Sequence, residues 1–189
     1  MDCCQTENNS CGCNTACCRG TEQNQKAEKR TLMIDFLYLD LDVCTRCQGT
    51  SNTLEEAIAE VIKVLELTGV KVILNKIHIN SAEKAVQYEF ISSPTIRVNG
   101  RDIQLEVKES QCESCGDLCG DEVDCRVWVY EGKEYTVPPK AMIIDAILRE
   151  IYGDAKARLV SNVDDESKYQ LPENLKSFFE AMEKKFDNK

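Results

Sequence analysis

A nearly continuous apolar run is followed closely by a pair of cysteines and then by apolar residues at helical spacing. The run covers residues 32–39, and the pair is Cys44 and Cys47, separated by Thr45 and Arg46. The apolar positions that come after the pair are Leu54, Ile58, Val61, Ile62 and Leu65. A continuous apolar run is typical of a strand buried on both faces. This order predicts an α/β fold in which the cysteine pair lies where a buried strand meets a helix.

The spacing of Cys44 and Cys47 suits reversible thiol chemistry. Two intervening residues let the sulfurs close into a disulfide with little backbone movement, and the unpaired amides of a helix N-terminus favour the thiolate of the first cysteine. We therefore predict that Cys44 is the nucleophile and the more exposed sulfur, that Cys47 resolves the mixed disulfide, and that Arg46 adds positive charge where the substrate binds. The substrate would be a protein or small-molecule disulfide, and a separate reductase would supply the electrons.

The segments that follow extend the α/β pattern. Residues 70–79 are rich in β-branched residues and predict a second strand, and Ser81 can cap a short helix. A strand, helix, strand and helix in this order place two parallel strands in one sheet through a right-handed crossover. The start of the first helix is left open by the sequence. Thr53 and Glu56 form a capping box, but the helix can also begin near Cys44.

Two hairpins and two further helices complete the predicted elements. Asn99-Gly100 is a strong two-residue hairpin signal, and a second hairpin is predicted over residues 127–137. A helix follows Pro139, and an amphipathic helix follows Pro172. We expect the apolar stripe of the last helix to dock on the domain, because an isolated helix of this length is marginal in water.

The chain is long enough for one well-cored domain with appendages. We predict a mixed sheet flanked by helices, with an inserted cysteine-rich loop and hairpin and a C-terminal amphipathic helix. The predicted divisions are a disordered cysteine-rich tail at residues 1–30, the domain at 31–153 with its insertion at 109–126, and a linker with the docked helix at 154–189.

Twelve cysteines in one chain indicate metal or redox chemistry when the compartment is reducing. Four of them lie within the insertion, and their first spacing is the one that zinc sites use. These four are Cys112, Cys115, Cys119 and Cys125. Three interpretations stay open for them: a closed zinc site or an iron–sulfur cluster, two disulfides that exchange electrons with Cys44, or thiols without a role.

Six further cysteines lie in the first 18 residues, a segment too poor in apolar residues to fold alone. They are Cys3, Cys4, Cys11, Cys13, Cys17 and Cys18. Adjacent cysteines do not easily share an unstrained disulfide, whereas several thiolates together suit a thiophilic ion. The tail is therefore a second candidate for metal capture, and a disordered tail of idle thiols is the alternative.

Charge and motifs argue against several partners. The net charge of −10 disfavours nucleic acid and anionic membranes, and no apolar run approaches the length that spans a bilayer. The sequence has no phosphate-binding glycine loop and no dinucleotide fingerprint, so we predict no nucleotide cofactor. The N-terminus lacks the basic start and apolar core of a secretion signal, and we expect a cytoplasmic protein.

Residues 31–108 resemble the small glutaredoxin-like thioredoxins. The resemblance rests on the Cys44–Cys47 motif after a strand, on the helix that follows, and on Ser93-Pro94 ahead of Asn99-Gly100. From residue 31 onward the chain also resembles an uncharacterised bacterial thioredoxin-like family, a domain of unknown function, which implies architecture but no activity. The resemblance implies a thioredoxin-like fold in which Pro94 is cis and faces the cysteine pair, with Ser93 offering backbone groups to an incoming peptide or thiol.

Two functions are consistent with these features. The first is a thiol–disulfide oxidoreductase that cycles Cys44 and Cys47. The second is a protein that binds or delivers a soft metal or metalloid, of the zinc, mercury or arsenic type, without redox turnover. In the second case Cys44 and Cys47 can be half of a zinc site, completed by Cys112 and Cys115 if the insertion folds over the pair. Both functions can coexist in metal or metalloid detoxification.

Overall fold

The computed structural model describes residues 30–119, 122–153 and 169–187. The strands in these ranges are β1 Arg30–Tyr38, β2 Val70–His78, β3 Thr95–Val98, β4 Arg101–Asp102, β5 Lys108–Gln111, β6 Asp124–Tyr130 and β7 Lys133–Tyr135. The helices are α1 Thr45–Leu67, α2 Ala82–Gln87, α3 Glu113–Cys119, α4 Lys140–Tyr152 and α5 Glu173–Asp187. None of these helices is long and apolar enough to cross a membrane. The predicted tail and most of the predicted linker lie outside the described residues.

The main sheet is mixed, with the strand order β2-β1-β3-β4. β1 runs parallel to β2 along its whole length, from Arg30 opposite Val70 to Tyr38 opposite His78. β3 pairs with the other side of β1 in the antiparallel sense. The parallel pair requires a crossover, and α1 supplies it. The mixed α/β class that the sequence predicts is therefore confirmed.

Helix α1 begins near Cys44, the earlier of the two starting positions that the sequence left open. It begins at Thr45 with Cys44 as its N-cap and runs without interruption to Leu67. The Thr53–Glu56 capping box is thus interior to the helix. Gly49 lies where α1 meets the chain ahead of α4, and a Cβ atom there would lie 2.6 Å from Cγ2 of Val137. Glycine is required at this position because any side chain would collide with Val137.

Two groups of buried side chains form the interior of the ranges that the structure describes. The first lies between the sheet and helices α1 and α4, with Phe36, Leu54, Trp128 and Ile143 at its centre. The second surrounds the cysteines and is covered by α5. Helix α5 contributes Leu175, Phe178 and Phe179, which are almost completely buried. These three residues of the apolar stripe that the sequence predicts are therefore covered by the domain.

The cysteine-rich insertion is not the loop that the sequence suggested. It consists of β5, α3 and β6, and β5 pairs antiparallel with β6, placing Ser110 opposite Cys125. The amide of Cys112 donates to the carbonyl of Val123 at 2.8 Å, which closes the unit at its base. Glycine and acidic residues made the segment resemble a loop. Pairing with β6 overrides that local preference, because it supplies hydrogen-bond partners for the backbone of β5. The local sequence does not show that these partners are present.

Both predicted hairpin turns are present. Asn99 and Gly100 have positive φ angles of 49° and 81°, and Glu131 and Gly132 have 50° and 74°. These are the left-handed conformations that two-residue hairpins need. The alternation that continued past Gly100 predicted a longer strand than the structure has, since β4 ends at Asp102. The carboxylate of Asp102 accepts from the amide of Gln104 and thereby turns the chain away from the sheet.

Candidate metal centre

Four cysteine sulfurs from three parts of the chain meet in the interior. The Sγ atoms of Cys44, Cys112, Cys115 and Cys125 all lie within 4.8 Å of one another. The sulfurs of Cys125 and Cys115 are 3.4 Å apart. All four side chains are buried. We call this set the four-sulfur group.

The size of the four-sulfur group matches tetrahedral metal coordination. In a tetrahedron with metal–sulfur bonds of roughly 2.3 Å, neighbouring sulfurs are separated by about 3.8 Å. The sulfurs of Cys125 and Cys115 are 3.4 Å apart, and no pair in the group is separated by more than 4.8 Å, so the spacing is close to that value. The group can therefore hold a metal ion such as zinc after small side-chain adjustments. The donor set is soft and selects thiophilic ions as a class rather than one particular metal.

Cys44 reaches the group because the chain turns sharply between β1 and α1. One carboxylate oxygen of Asp40 accepts hydrogen bonds from the amides of Asp42, Val43 and Cys44, at 2.9, 2.5 and 3.3 Å. Cys44 then caps α1, and its sulfur accepts from the amide of Cys47 at 3.3 Å. Asp40 thus fixes the backbone that aims the Cys44 sulfur at the insertion.

The other three sulfurs of the group come from the insertion. Cys112 stands just before α3, and Cys115 lies in the first turn of that helix. The amide of Cys115 donates to the carbonyl of Cys112 at 3.1 Å, which brings the two side chains to the same end of the helix. Cys125 lies on β6, opposite Ser110 of β5. The β5–β6 pairing therefore places the third sulfur next to the first two.

The guanidinium of Arg46 ties the insertion to α1. It donates to the carbonyls of Ser110, Gln111 and Cys125 at 3.2, 2.6 and 3.2 Å, and to the Ser110 hydroxyl at 3.1 Å. The neighbouring Thr45 hydroxyl is 3.0 Å from that of Ser114. We call the contacts of Arg46 with Ser110, Gln111 and Cys125 the Arg46 clamp. It holds the insertion directly over Cys44.

Cys47 lies beside the four-sulfur group but outside it. Its sulfur is 3.4 Å from the hydroxyl of Ser93, and that hydroxyl accepts from the amide of Leu39 at 3.2 Å. The Ser93–Pro94 peptide bond is cis, as the resemblance implies. The carbonyl of Ser93 accepts from the amide of Arg126 at 2.7 Å, so β6 already occupies this backbone group.

The prediction that Cys44 is the more exposed sulfur is wrong. Cys44 and Cys47 both have 0% of their surface exposed. The reason is the insertion, which the Arg46 clamp holds across the start of α1. The Cys44–Cys47 motif does not by itself reveal that another segment covers it. Without an insertion, the same motif would lie at the surface.

Cys119, which the sequence proposed as a fourth ligand from the insertion, does not belong to the four-sulfur group. It is buried, and its sulfur faces the carbonyl of Gly116 at 3.9 Å. Because α3 is helical, residue 119 lies a full turn beyond Cys115. Cys44 fills the fourth position instead. The cysteines at positions 3, 4, 11, 13, 17 and 18 lie outside the described residues.

The thiols of the four-sulfur group differ in acidity because they hydrogen-bond to one another. The pKa of Cys44 is held well below the ordinary thiol value, chiefly by hydrogen bonds from Cys112 and Cys115. A hydrogen bond with Cys115 also lowers the pKa of Cys112 to about 7. The pKa values of Cys115 and Cys125 are raised, first by their hydrogen bonds to Cys112. Negative charge is therefore concentrated on Cys44 and Cys112.

Cys47 has the opposite character from Cys44. Its hydrogen bond to Cys44, followed by burial, raises the pKa of the Cys47 thiol. Cys47 consequently keeps its proton while Cys44 carries the charge. This division is the one expected for a thiolate at a helix start with a neighbouring thiol one turn further on.

A buried ion pair joins Arg126, the neighbour of Cys125 in the chain, to Asp102. The sequence did not predict this pair. Both terminal nitrogens of Arg126 donate to the carboxylate of Asp102, at 2.9 and 2.8 Å, and the guanidinium lies 5.2 Å from the centre of the Trp128 ring. Arg126 follows Cys125 directly and is completely buried. No local pattern could reveal this pair, because its partners lie on different strands far apart in sequence.

The chain belongs to the family described as a domain of unknown function, DUF2703, whose model matches residues 32–147. The match covers more than half of the 189 residues and includes all four members of the four-sulfur group. No curated protein matches the chain. No solved structure matches it either.

Proposed function

We propose that this protein binds one thiophilic metal ion through the thiolates of the four-sulfur group. The observation that carries the proposal is the convergence of Cys44, Cys112, Cys115 and Cys125, whose sulfurs lie within 4.8 Å of one another in the interior. Isolated buried cysteines behave as small apolar side chains and need no common orientation. Four sulfurs aimed at one point are instead typical of a closed coordination site.

Zinc and related soft divalent ions fit the donor set best. Four thiolates around a divalent ion leave a net charge of about −2 on the centre. The Arg46 clamp places a positive guanidinium against the carbonyl of Cys125, which offsets part of this charge. With four protein ligands the ion has no open position, so the proposed role is to bind or deliver the ion rather than to activate water.

We place the centre on a thioredoxin-like framework. The support is the parallel β1–β2 pair joined by α1, the antiparallel β3 on the other side of β1, and a cysteine at the start of α1. On this proposal the insertion has converted the thiol end of such a fold into a metal centre. It does so by covering Cys44 and supplying the other three ligands.

Thiol–disulfide exchange at Cys44 and Cys47 is the second candidate function. The specific support is the short approach of the Cys47 amide to the Cys44 sulfur, together with the low pKa of Cys44. Burial of both sulfurs opposes exchange with a protein disulfide, because the insertion would have to move aside. We therefore rank the metal centre first. Coexistence of the two functions in metal or metalloid detoxification is part of the same proposal.

Titration with cobalt(II), which reports thiolate coordination by its visible absorption, tests the metal centre. The protein should carry serine in place of all six tail cysteines, a variant we call the tail-serine protein, so that only the domain can bind. We expect one ion per chain with the spectrum of a tetrahedral tetrathiolate, and displacement by zinc. Cys125→Ser and Cys112→Ser should each lose that spectrum while keeping the helical circular dichroism signal.

Cys119→Ser is the matched control, because it removes a buried cysteine of the same insertion that lies outside the four-sulfur group. It should bind one ion with the parent spectrum. Loss of the tetrathiolate spectrum in Cys119→Ser, or its survival in Cys125→Ser, would contradict the proposed ligand set. Absence of cobalt binding by the tail-serine protein under reducing conditions would contradict the proposed function itself.

A further inference from the structure

We propose that Cys47 is a redox trigger for the metal centre: oxidation joins Cys47 to Cys44 in a disulfide, removes one of the four ligands and releases the ion. This inference rests on the proposed metal-binding function and adds a means of controlling it. It assigns a role to the one cysteine of the Cys44–Cys47 motif that the four-sulfur group leaves out.

Cys44 is shared between two possible partners. On one side its sulfur belongs to the four-sulfur group. On the other side it accepts from the amide of Cys47 at 3.3 Å. A sulfur in a disulfide has no negative charge to donate to a metal. Coordination by Cys44 and a bond between Cys44 and Cys47 are therefore mutually exclusive states of one atom.

Cys47 is the thiol best placed to react when the ion is bound. The four sulfurs of the group would then be committed to the metal, whereas Cys47 lies outside the group, with its sulfur 3.4 Å from the hydroxyl of Ser93. Formation of the disulfide needs little rearrangement, because the two residues flank the first turn of α1. Three remaining thiolates leave a zinc ion one ligand short of its preferred four.

Burial indicates that the oxidant is a small peroxide. Cys44 and Cys47 are both inaccessible to a protein disulfide in this conformation. A cavity of about 440 Å³ is lined by Leu39, Asp40 and Phe178 among others, but not by either cysteine. Asp40 contacts the amide of Cys44, and the amide of Leu39 bonds the Ser93 hydroxyl that contacts Cys47. The cavity thus adjoins the residues that hold both sulfurs in place.

The chemistry balances with one hydrogen peroxide. The sulfur of the Cys47 thiol attacks one peroxide oxygen, the O–O bond breaks, the thiol proton passes to the departing oxygen, and water leaves with a sulfenic acid formed on Cys47. The Cys44 thiolate then attacks the Cys47 sulfur, an S–S bond forms, the S–O bond breaks, and hydroxide leaves. The two sulfurs lose two electrons and the peroxide gains them. A dithiol reductant reverses the step and restores the ligand set.

The test uses the zinc-loaded tail-serine protein, one equivalent of hydrogen peroxide and a chromogenic zinc indicator too weak to strip the ion by itself. We expect release of the ion, with peptide mass spectrometry showing a Cys44–Cys47 disulfide and dithiothreitol restoring binding. Cys47→Ser should bind one ion as before but release it at least roughly ten-fold more slowly, since its uncoordinated thiol is absent. Cys119→Ser should release zinc at the parent rate.

The outcomes separate this inference from the function on which it rests. Release from Cys47→Ser at the parent rate, with a disulfide between Cys115 and Cys125, would overturn the trigger and leave the metal centre intact. Failure of Cys47→Ser to bind zinc would show that Cys47 is itself a ligand, which overturns both the ligand set and the trigger. Failure of the parent to bind zinc would remove the proposed function and the trigger with it.

Discussion

At position 44, the features that favour a thiolate also fix where its sulfur points. Asp40 holds the turn, and the amide of Cys47 donates to the Cys44 sulfur at the first turn of α1. This is the arrangement that a strand–cysteine–helix motif predicts for a nucleophile. The insertion gives the Cys44 thiolate different surroundings, because it places three more sulfurs next to it. The same local chemistry then favours coordination of an ion.

Loading the centre should release protons, since thiols must ionise to coordinate a metal. At neutral pH the lowered pKa leaves Cys44 ionised, the pKa of about 7 leaves Cys112 about half ionised, and the raised pKa values keep Cys115 and Cys125 protonated. We therefore expect about two to three protons per zinc ion at pH 7. Binding should strengthen as the pH rises, because fewer protons must then be displaced.

Proton release is measured with a pH indicator in weakly buffered solution as zinc is added to the reduced tail-serine protein. Cys119→Ser serves as the control and should release the same number of protons. Fewer than about one proton per ion would mean that the site is already ionised without metal, and this would contradict the assigned hydrogen bonds among the thiols.

The local elements of the fold could be predicted from the sequence, whereas the site needed long-range information. β1, α1 and β2 follow from an apolar run, a helical period and a β-branched run, each read within a short window. The turn at Asn99-Gly100 follows from its own chemistry. The insertion could not be predicted in this way, because its order depends on β5 pairing with β6 and on Arg46 reaching it from α1.

The same distinction explains the composition of the four-sulfur group. Spacing alone grouped Cys119 with Cys112, Cys115 and Cys125, since all four lie in one short segment. The α3 helix places Cys119 one turn along its axis from Cys115, outside the group, and the fold brings in Cys44 from a distant part of the chain. The one available signal was the possibility that the insertion folds over the Cys44–Cys47 motif. That hypothesis placed both Cys44 and Cys47 in a site with Cys112 and Cys115, whereas in the structure Cys125 joins the group and Cys47 lies outside it.

Replacing Arg46 with alanine tests the connection between α1 and the insertion. Arg46→Ala removes hydrogen bonds to Ser110, Gln111 and Cys125, so three ligands lose their fixed position over the fourth. We expect zinc affinity to fall about ten- to a hundred-fold, the equivalent of one hydrogen bond to a charged group at ~1.5–3 kcal/mol. Competition with a chelator of known affinity measures the change.

Arg149→Ala is the matched control for this experiment. Arg149 lies on α4, where it forms a surface ion pair with Asp145 one turn away. Its removal should leave zinc affinity unchanged, because α4 packs in the first buried group, which contains no cysteine. Equal affinities for Arg46→Ala and the parent would show that the insertion keeps its position without the clamp.

At the scale of the whole molecule, the two buried groups divide the domain into an apolar part and a part that contains the proposed metal centre. The first group is apolar and lies between the sheet and helices α1 and α4. The second contains six cysteines and is covered by the three apolar side chains of α5. An ion at the four-sulfur group would therefore stabilise the insertion and α5 more than the rest of the domain. At a free-ion concentration roughly 1,000 times the dissociation constant, binding contributes about 4 kcal/mol to the folded state.

Hydrogen–deuterium exchange with and without zinc tests this division. Chelation of the ion should raise exchange in β5, α3, β6 and α5, because their packing depends on sulfurs that then repel one another or take up protons. Exchange in the middle of α1 and in α4 should change little, since their contacts are with the apolar group. In Cys125→Ser, which lacks a ligand, addition of zinc should leave the pattern unchanged. Equal protection of both halves on zinc binding would mean that the domain unfolds as a single cooperative unit, and the metal centre would then stabilise the entire fold rather than its cysteine-rich half.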